Sequence, residues 1–405
     1  MPFTNALANT DTKNTASAHA KNNLFDQHKR LKMQTSEKTS SPQIEAKHLH
    51  LADRTQTGVM LLNLGGPDNL DDIAPFLYRL FSDPLIIDLP LGWLLRKPLA
   101  YLISKLRSLK VRDRYIAIGG GSPIREQTAQ QAEGLSQLLD MPVAFAMRYS
   151  NPQIDSAIKL LREQSVRHCV IIPLYPQYSS VTTLSSIRDW HKHNRNQLQY
   201  SIVQQHFEHP GFIDAHAQNL CKAFADLQHT PHHSSNSPPL TKGHNTPEYT
   251  TTSRSSSKPN DNAPVSLATT KVLFVAHSVP LKITHQGDPY ISQTEETVRL
   301  IAQHAKLSVP WSLAYQSRLG PVKWHGPSLS EALKDLCAQG FTRLMVHPIS
   351  FVSENLETLY DLDIVFHREC VNAGITDFIR IPTPGNSPLY LKALADMVHT
   401  ALQEI

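Results

Sequence analysis

Between residues 57 and 402, short unbroken apolar runs alternate with stretches of helical period. The runs are Val59–Leu64, Val143–Met147, Cys169–Leu174, Val272–Ala276, Ser312–Tyr315, Leu344–Ile349 and Phe378–Ile381. They lack the in–out alternation of half-exposed strands, so they predict parallel strands buried on both faces. Leu70–Phe81, Thr128–Leu139, Glu295–Ala305, Leu329–Ala338 and Leu389–Leu402 repeat apolar residues at helical spacing. Strand then helix, repeated, predicts an α/β fold with parallel sheets flanked by helices.

The pattern also repeats on a larger scale. GVMLLNLGGP (58–67) lies over KVLFVAHSVP (271–280), and VAFAMRYS (143–150) over WSLAYQSR (311–318). RHCVIIPLYPQYSSVTTL (167–184) lies over TRLMVHPISFVSENLETL (342–359), in the same order. Two tandem Rossmann-like domains, a duplicated unit, are expected at 56–228 and 271–385 with a cleft between them, followed by a helix at 386–405. Two segments lack hydrophobic period: a polar N-terminal tail, 1–55, and a Ser/Thr/Pro/Asn-rich insertion, 229–270, with scattered histidines. Both read as solvated and disordered.

Composition narrows the classes. The 405 residues carry a net charge of +4, too mild to suggest nucleic acid as a partner. The four cysteines, Cys169, Cys221, Cys337 and Cys370, form no CxxC pair, which removes zinc ribbons and thioredoxin motifs. No apolar run spans a bilayer and no secretory h-region is present, which points to the cytoplasm.

Ligands of open α/β sheets bind at the carboxyl ends of strands. His277-Ser278, Gln316-Ser317, Arg148-Tyr149 and the segment 353–357 fall there. His277 reads either as a buried structural imidazole or as a base or metal ligand. SENLETLYDLD (353–363) reads as a helix capped by Ser353, with Glu354 serving the helix dipole. Glu357 and Asp361 share one face, as a solvated acidic surface or as a carboxylate row that takes up cations or protons. Gly65-Gly66 and Gly119-Gly120-Gly121 permit tight turns or present N–H groups to an anion; no nucleotide fingerprint is present. The stretch Leu85 to Gly121 is apolar and basic together, carrying Leu91, Trp93, Leu94, Leu95 and Leu102 with Arg96, Lys97, Lys105 and Arg107. It reads as a one-sided helix or as a lip for a membrane surface or hydrophobic ligand.

LNLGGP (62–67), YIAIGGGSPI (115–124), MRYSNP (147–152), VAHSVP (275–280), YQSRLGPVKWHGP (315–327) and FVSENLETLYDLDI (351–364) together resemble the motifs of ferrochelatases, in that family's order. The resemblance implies insertion of Fe²⁺, a substrate rather than a resident cofactor, into protoporphyrin IX or coproporphyrin III to give haem. It implies His277 and Glu357 as catalytic groups, and His277, Glu357 and Asp361 as metal-handling groups, on a helix with a π-type turn. It implies Leu64, Tyr115, Ser122, Arg148, Tyr149, Gln316, Ser317 and Trp324 as porphyrin-binding residues. The apolar stretch would then be a mobile lip in peripheral contact with anionic membrane, on the inner face of the cell membrane. Asn355 stands where many members have histidine, and Val365 ends the acidic row early. With no cysteine after Cys370, no [2Fe–2S] cluster is expected. Two rivals are a cobalt chelatase for a corrin precursor, which would want a basic pocket and no lip, and a haem or metal carrier without turnover.

Overall fold

The computed structural model describes residues 56–86, 92–229, 267–318, 320 and 322–404, without the side chains of 92–94 and 228–229. The expected disorder of the tail and of 230–266 lies outside the described residues.

The first half runs β1 (Thr57–Asn63), α1 (Ile73–Ser82), α2 (Gly92–Ala117), α3 (Ile124–Leu139), β2 (Val143–Met147), α4 (Ile154–Glu163), β3 (His168–Pro173), α5 (Thr183–Asn194), β4 (Gln199–Ile202) and α6 (Pro210–His229). The second runs β5 (Thr270–His277), α7 (Leu281–His285), α8 (Tyr290–His304), β6 (Trp311–Gln316), α9 (Leu329–Ala338), β7 (Arg343–Pro348), a π-helix (Glu357–Phe366), α10 (His367–Asn372), β8 (Asp377–Arg380) and α11 (Pro388–Gln403). The sheets are ordered β2-β1-β3-β4 and β6-β5-β7-β8, and every pairing in both is parallel. The same order in both halves is the duplicated architecture the pattern predicts.

Sequence reading missed β4, whose residues are exposed or half-buried and so give no apolar run. It also missed α4 to α6. Helix α4 nonetheless has an apolar stripe, Ile154, Ala157, Ile158 and Leu161, that buries completely. Helix α9, expected from its helical spacing, opens on a Ser328/Glu331 capping box.

Alternate residues of each central strand face opposite layers. Met60 and Leu62 pack on α4 and on Trp190 of α5, whereas Leu273 and Val275 pack on α9, the π-helix and Cys370. The other faces meet. Val59, Leu61, Val272, Phe274 and Met345 belong to one apolar cluster with residues of α3, α6, α8 and α11. The halves therefore share a continuous core. Helix α11, late in sequence, packs on α3, α6, β3 and β4 of the first half.

Two histidines are sealed in this seam. His216 of α6 and His347 of β7 are fully buried, with Nδ1 of the first 2.9 Å from Nε2 of the second. Phe212 meets His216 edge-on, and Phe274 stacks on His347. The two outward nitrogens, His216 Nε2 and His347 Nδ1, have no hydrogen-bond partner.

Candidate active site

Strand ends and two helices assemble the site. His277 is the last residue of β5, and β7, which pairs with β5, leads into the π-helix that carries Glu357 and Asp361. The amide of His277 donates to Ser350 Oγ at 3.0 Å, and the ring of Phe351 stands edge-on to the imidazole. His277 Nδ1 lies 2.7 Å from the Ser278 carbonyl. A carbonyl only accepts, so Nδ1 carries the proton and Nε2 keeps its lone pair. Burial pushes the His277 pKa below its ordinary value, against smaller opposing effects of the Ser278 bond and Asp361. The imidazole is therefore neutral at pH 7, able to accept a proton or a cation.

The acidic groups move the other way. Burial pushes Glu357 up, and burial and the Glu357 charge push Asp361 to about 6, against Arg114 and His277. A carboxylate raised to about 6, as Asp361 is, can pass protons at working pH. The i→i+5 winding of the π-helix, whose helix opens with Leu356 after Asn355, places them there. Asn355 Oδ1 accepts from the Thr358 amide and Thr358 Oγ1 accepts from the Asn355 amide, both at 3.0 Å. The expectation of a helix capped by Ser353 with Glu354 in its first turn is corrected: Asn355 is the cap. Glu354 instead accepts from Arg380, from the Thr383 amide and from the Thr383 hydroxyl, pinning the segment to the strand-β8 side.

Tyr115, in the last turns of α2, lies within the field of Glu357 and Asp361, and its hydroxyl is pushed far up, chiefly by burial. It packs in one apolar cluster with Tyr149, Leu64 and Leu356, so three expected porphyrin-binding side chains gather beside the π-helix. Gln316 ends β6, the other neighbour of β5, and Ser317 follows it. Gln316 Oε1 and Nε2, Ser317 Oγ and the preceding Tyr315 hydroxyl are all buried without a hydrogen-bond partner. Ser317 adds a left-handed φ of 66°, a strained conformation for a residue with a side chain. Buried polar groups are almost always paired, so unpaired ones clustered at a strand end mark a place for polar ligand atoms. Trp324 bridges to Pro280, and the Ser278 hydroxyl donates to the His325 carbonyl, which laces this loop to the turn after His277.

Arg148 and Tyr149 turn their polar atoms toward protein partners. Arg148 donates to Asp83 at 2.7 Å and to Ser185 at 2.9 Å and stands 3.6 Å from Asp189; the Tyr149 hydroxyl donates to Asp83 at 2.8 Å. Their polar atoms are occupied by the protein, and Tyr149 is 1% exposed. Asp83, which sequence reading missed, holds both; an aspartate between Ser82 and Pro84 gives no signal beyond a helix end. Ser122 sits against Gly66, where a Cβ would fall 2.7 Å from the serine Cβ. The Gly119 and Gly120 amides are not free for an anion: they donate to the carbonyls of Ile116 and Tyr115 and close α2.

Among the described residues, no three His, Cys, Asp or Glu side chains converge closely enough to hold a metal ion.

Helix α2 spans most of the apolar–basic stretch and is buried along one side only. Ala100, Ser104, Val111 and Tyr115 are buried, while Leu95, Leu102, Leu106, Leu109 and Ile116 are more than half exposed. The expected contacts of Leu91, Trp93 and Leu94 lie outside the described side chains. No helix among the described residues is long and apolar enough to cross a membrane.

A family model, Ferrochelatase, matches residues 56–402. Ferrochelatase of Gloeothece citriformis is 38% identical over 360 residues, covering 86% of this chain and 83% of that protein. The ferrochelatase of a Nostoc species (strain PCC 7120) is 39% identical over the same length and shares. Among solved structures, SirB from Bacillus subtilis with Fe³⁺ aligns at a TM-score of 0.45 and 10% identity, over 86% of this chain and 96% of its own. By the match along its whole catalytic region, the chain belongs to the ferrochelatase family, enzymes that insert a metal ion into a porphyrin in haem synthesis.

Proposed function

We propose that this chain inserts Fe²⁺ into protoporphyrin IX, with His277 as the base for the pyrrole protons and Glu357 and Asp361 as the carboxylates that handle the ion and carry protons away. The observation that supports this most directly is the neutral His277, lone pair on Nε2, in the field of carboxylates raised toward neutrality. Metallation replaces two pyrrole protons by one divalent cation, so a base, a cation path and a proton exit must lie together. Leu64 and Tyr115 supply apolar packing for the macrocycle, with Tyr149 supporting them from within the same buried cluster, and Gln316, Ser317, Trp324 and Ser122 supply its polar edge. Arg148, held by Asp83, acts chiefly by fixing the wall of the site. Fe²⁺ is the substrate; no permanently bound cofactor and no [2Fe–2S] cluster are part of this reading.

Protoporphyrin, rather than a porphyrin with four carboxylates, is favoured by the charge already present. Arg148 faces Asp83 and Asp189. Its guanidinium is not left over for extra carboxylates. Purified protein supplied anaerobically with Fe²⁺ and each porphyrin should show kcat/KM at least about tenfold higher for protoporphyrin IX, a difference of ~1.4 kcal/mol. Equal or reversed values would overturn the substrate assignment and leave the reaction class standing.

The exposed face of α2 supports a peripheral, cytoplasmic-side contact with anionic membrane. Its leucines can enter the acyl boundary, and its basic residues can meet headgroups at about 1 kcal/mol each. The helix carries Arg96, Lys97, Lys105, Arg107, Lys110, Arg112 and Arg114 against a single acidic residue, Asp113. Changing Leu102, Leu106 and Leu109 to serine should abolish co-sedimentation with anionic vesicles at low salt and leave turnover of detergent-solubilised porphyrin in place. If the triple variant pellets like the parent chain, the helix is not the membrane contact.

A further inference from the structure

The π-helix carries two carboxylate–guanidinium pairs of different character. On one side Asp363 and Glu354 are held by Arg380, whose side chain is 14% exposed, with both carboxylates on the same guanidinium. That cluster is built in. On the other side Asp361 faces Arg114 at 3.4 Å, with side chains 28% and 47% exposed. The guanidinium of Arg114 also stands 5.5 Å from the ring centre of Tyr360. This second pair is monodentate, long and solvent-accessible, the class of ion pair that holds least tightly.

Its partners come from different parts of the molecule. Asp361 is the outer acid of the row that runs from Glu357, and Arg114 belongs to the last turn of α2, beside Tyr115. A divalent cation at the Asp361 carboxylate and a guanidinium at the same carboxylate repel one another. Only one can occupy it at full strength, and the exposed arginine is the one free to swing away.

We propose that Arg114 is a displaceable counter-ion that sets the metal affinity of the outer carboxylate: it occupies Asp361 until a divalent cation enters, and it lowers that cation's affinity so that the ion passes inward. This inference rests on the reading of Asp361 as a cation-handling residue. Arg114 touches neither porphyrin nor reacting nitrogen in it; it is a positioning residue acting through one side chain. Its departure also releases the mooring of α2 on Tyr360 and Asp361, which links ion entry to the helix that borders the site.

The test is a charge series read separately for metal and porphyrin. Arg114→Lys, Arg114→Gln and Arg114→Glu are compared by anaerobic steady-state assay with Fe²⁺, and by calorimetric titration with Zn²⁺ alone, a redox-inert probe that needs no turnover. The metal KM and the Zn²⁺ dissociation constant should stay near the parent value in Arg114→Lys. They should fall about tenfold in Arg114→Gln (~1.4 kcal/mol) and further in Arg114→Glu, with the porphyrin KM unchanged. In an Asp361→Asn background, whose own metal KM should rise, Arg114→Gln should have no effect. If Arg114→Gln leaves metal affinity unchanged while Asp361→Asn weakens it, the counter-ion proposal fails and the site reading survives. An equal effect of Arg114→Gln in both backgrounds would mean a general field rather than this pair, and also overturns the proposal. If Asp361→Asn alone leaves metal affinity unchanged, the site reading is wrong and the proposal falls with it.

Discussion

Replacing His277 with alanine lowers metal insertion at least about a hundredfold, some 2.7 kcal/mol of barrier, in a protein that stays folded. The loss follows from chemistry that no neighbour duplicates. His277 is neutral, its Nδ1 is committed to Ser278, and Nε2 offers the lone pair. The nearby carboxylates, raised toward neutrality, are weaker bases than imidazole in water but accept a proton passed on from it. Folding survives because strand β5 keeps its place: the His277 amide bond to Ser350 and the pairing with Gln316 use only backbone of residue 277. The measurement is turnover with saturating Fe²⁺ and porphyrin, beside circular dichroism. A variant that keeps more than about a tenth of parental turnover, less than ~1.4 kcal/mol lost, would remove His277 from the role of base.

A second large effect concerns stability in acid. His216 and His347 are buried as a neutral pair, and burial is the first cause that pushes both below the ordinary value of 6.5, His216 to about 3. The mutual charge of the pair and Arg380 push His347 further down. The unfolded chain therefore binds more protons than the native one. The stability held above pH 6.5 is lost as pH falls, across a window from 6.5 toward 3. Each group contributes a slope of about 1.4 kcal/mol per pH unit, so the pair loses roughly 3–4 kcal/mol between pH 6.5 and 5. That is a large part of the ~5–15 kcal/mol that keeps a protein folded. Asp361 and Asp363, both raised to about 6, act with the opposite sign, so the clean comparison is between variants. His216→Leu combined with His347→Leu should move the midpoint of acid unfolding downward by about a pH unit, and an unchanged midpoint would place the acid sensitivity elsewhere.

The parallel strands were legible because burial on both faces writes itself as an unbroken apolar run, and the duplicated order followed from three such runs repeated. Strand β4, part-exposed, wrote nothing. Of the site, His277, Gln316 and Ser317 could be placed from strand ends alone, since a strand's last residue has a predictable position in such a sheet. Glu357 and Asp361 could be paired by spacing. What spacing cannot show is which partner a charged side chain takes across the fold. Arg148 can be placed at a strand end, but only the fold shows that Asp83, some sixty residues away in sequence, pairs with it. Glu354 reads as a dipole residue until Arg380, at the end of β8, and Thr383, just beyond it, are seen to hold it.

Helix α11 has a consequence for how the protein is made. Its residues Tyr390, Ala393, Leu394, Met397 and Val398 cover the first half, against α3 and α6, yet they leave the ribosome after the entire second half. Until then the nascent first half presents Leu135, Phe212, Ile213 and Leu220 to water or to whatever binds exposed apolar surface. The amino-terminal copy of the duplicated unit therefore cannot mature in order of synthesis. It must wait for α11, from the far end of the carboxyl-terminal copy, to deliver that layer of its core.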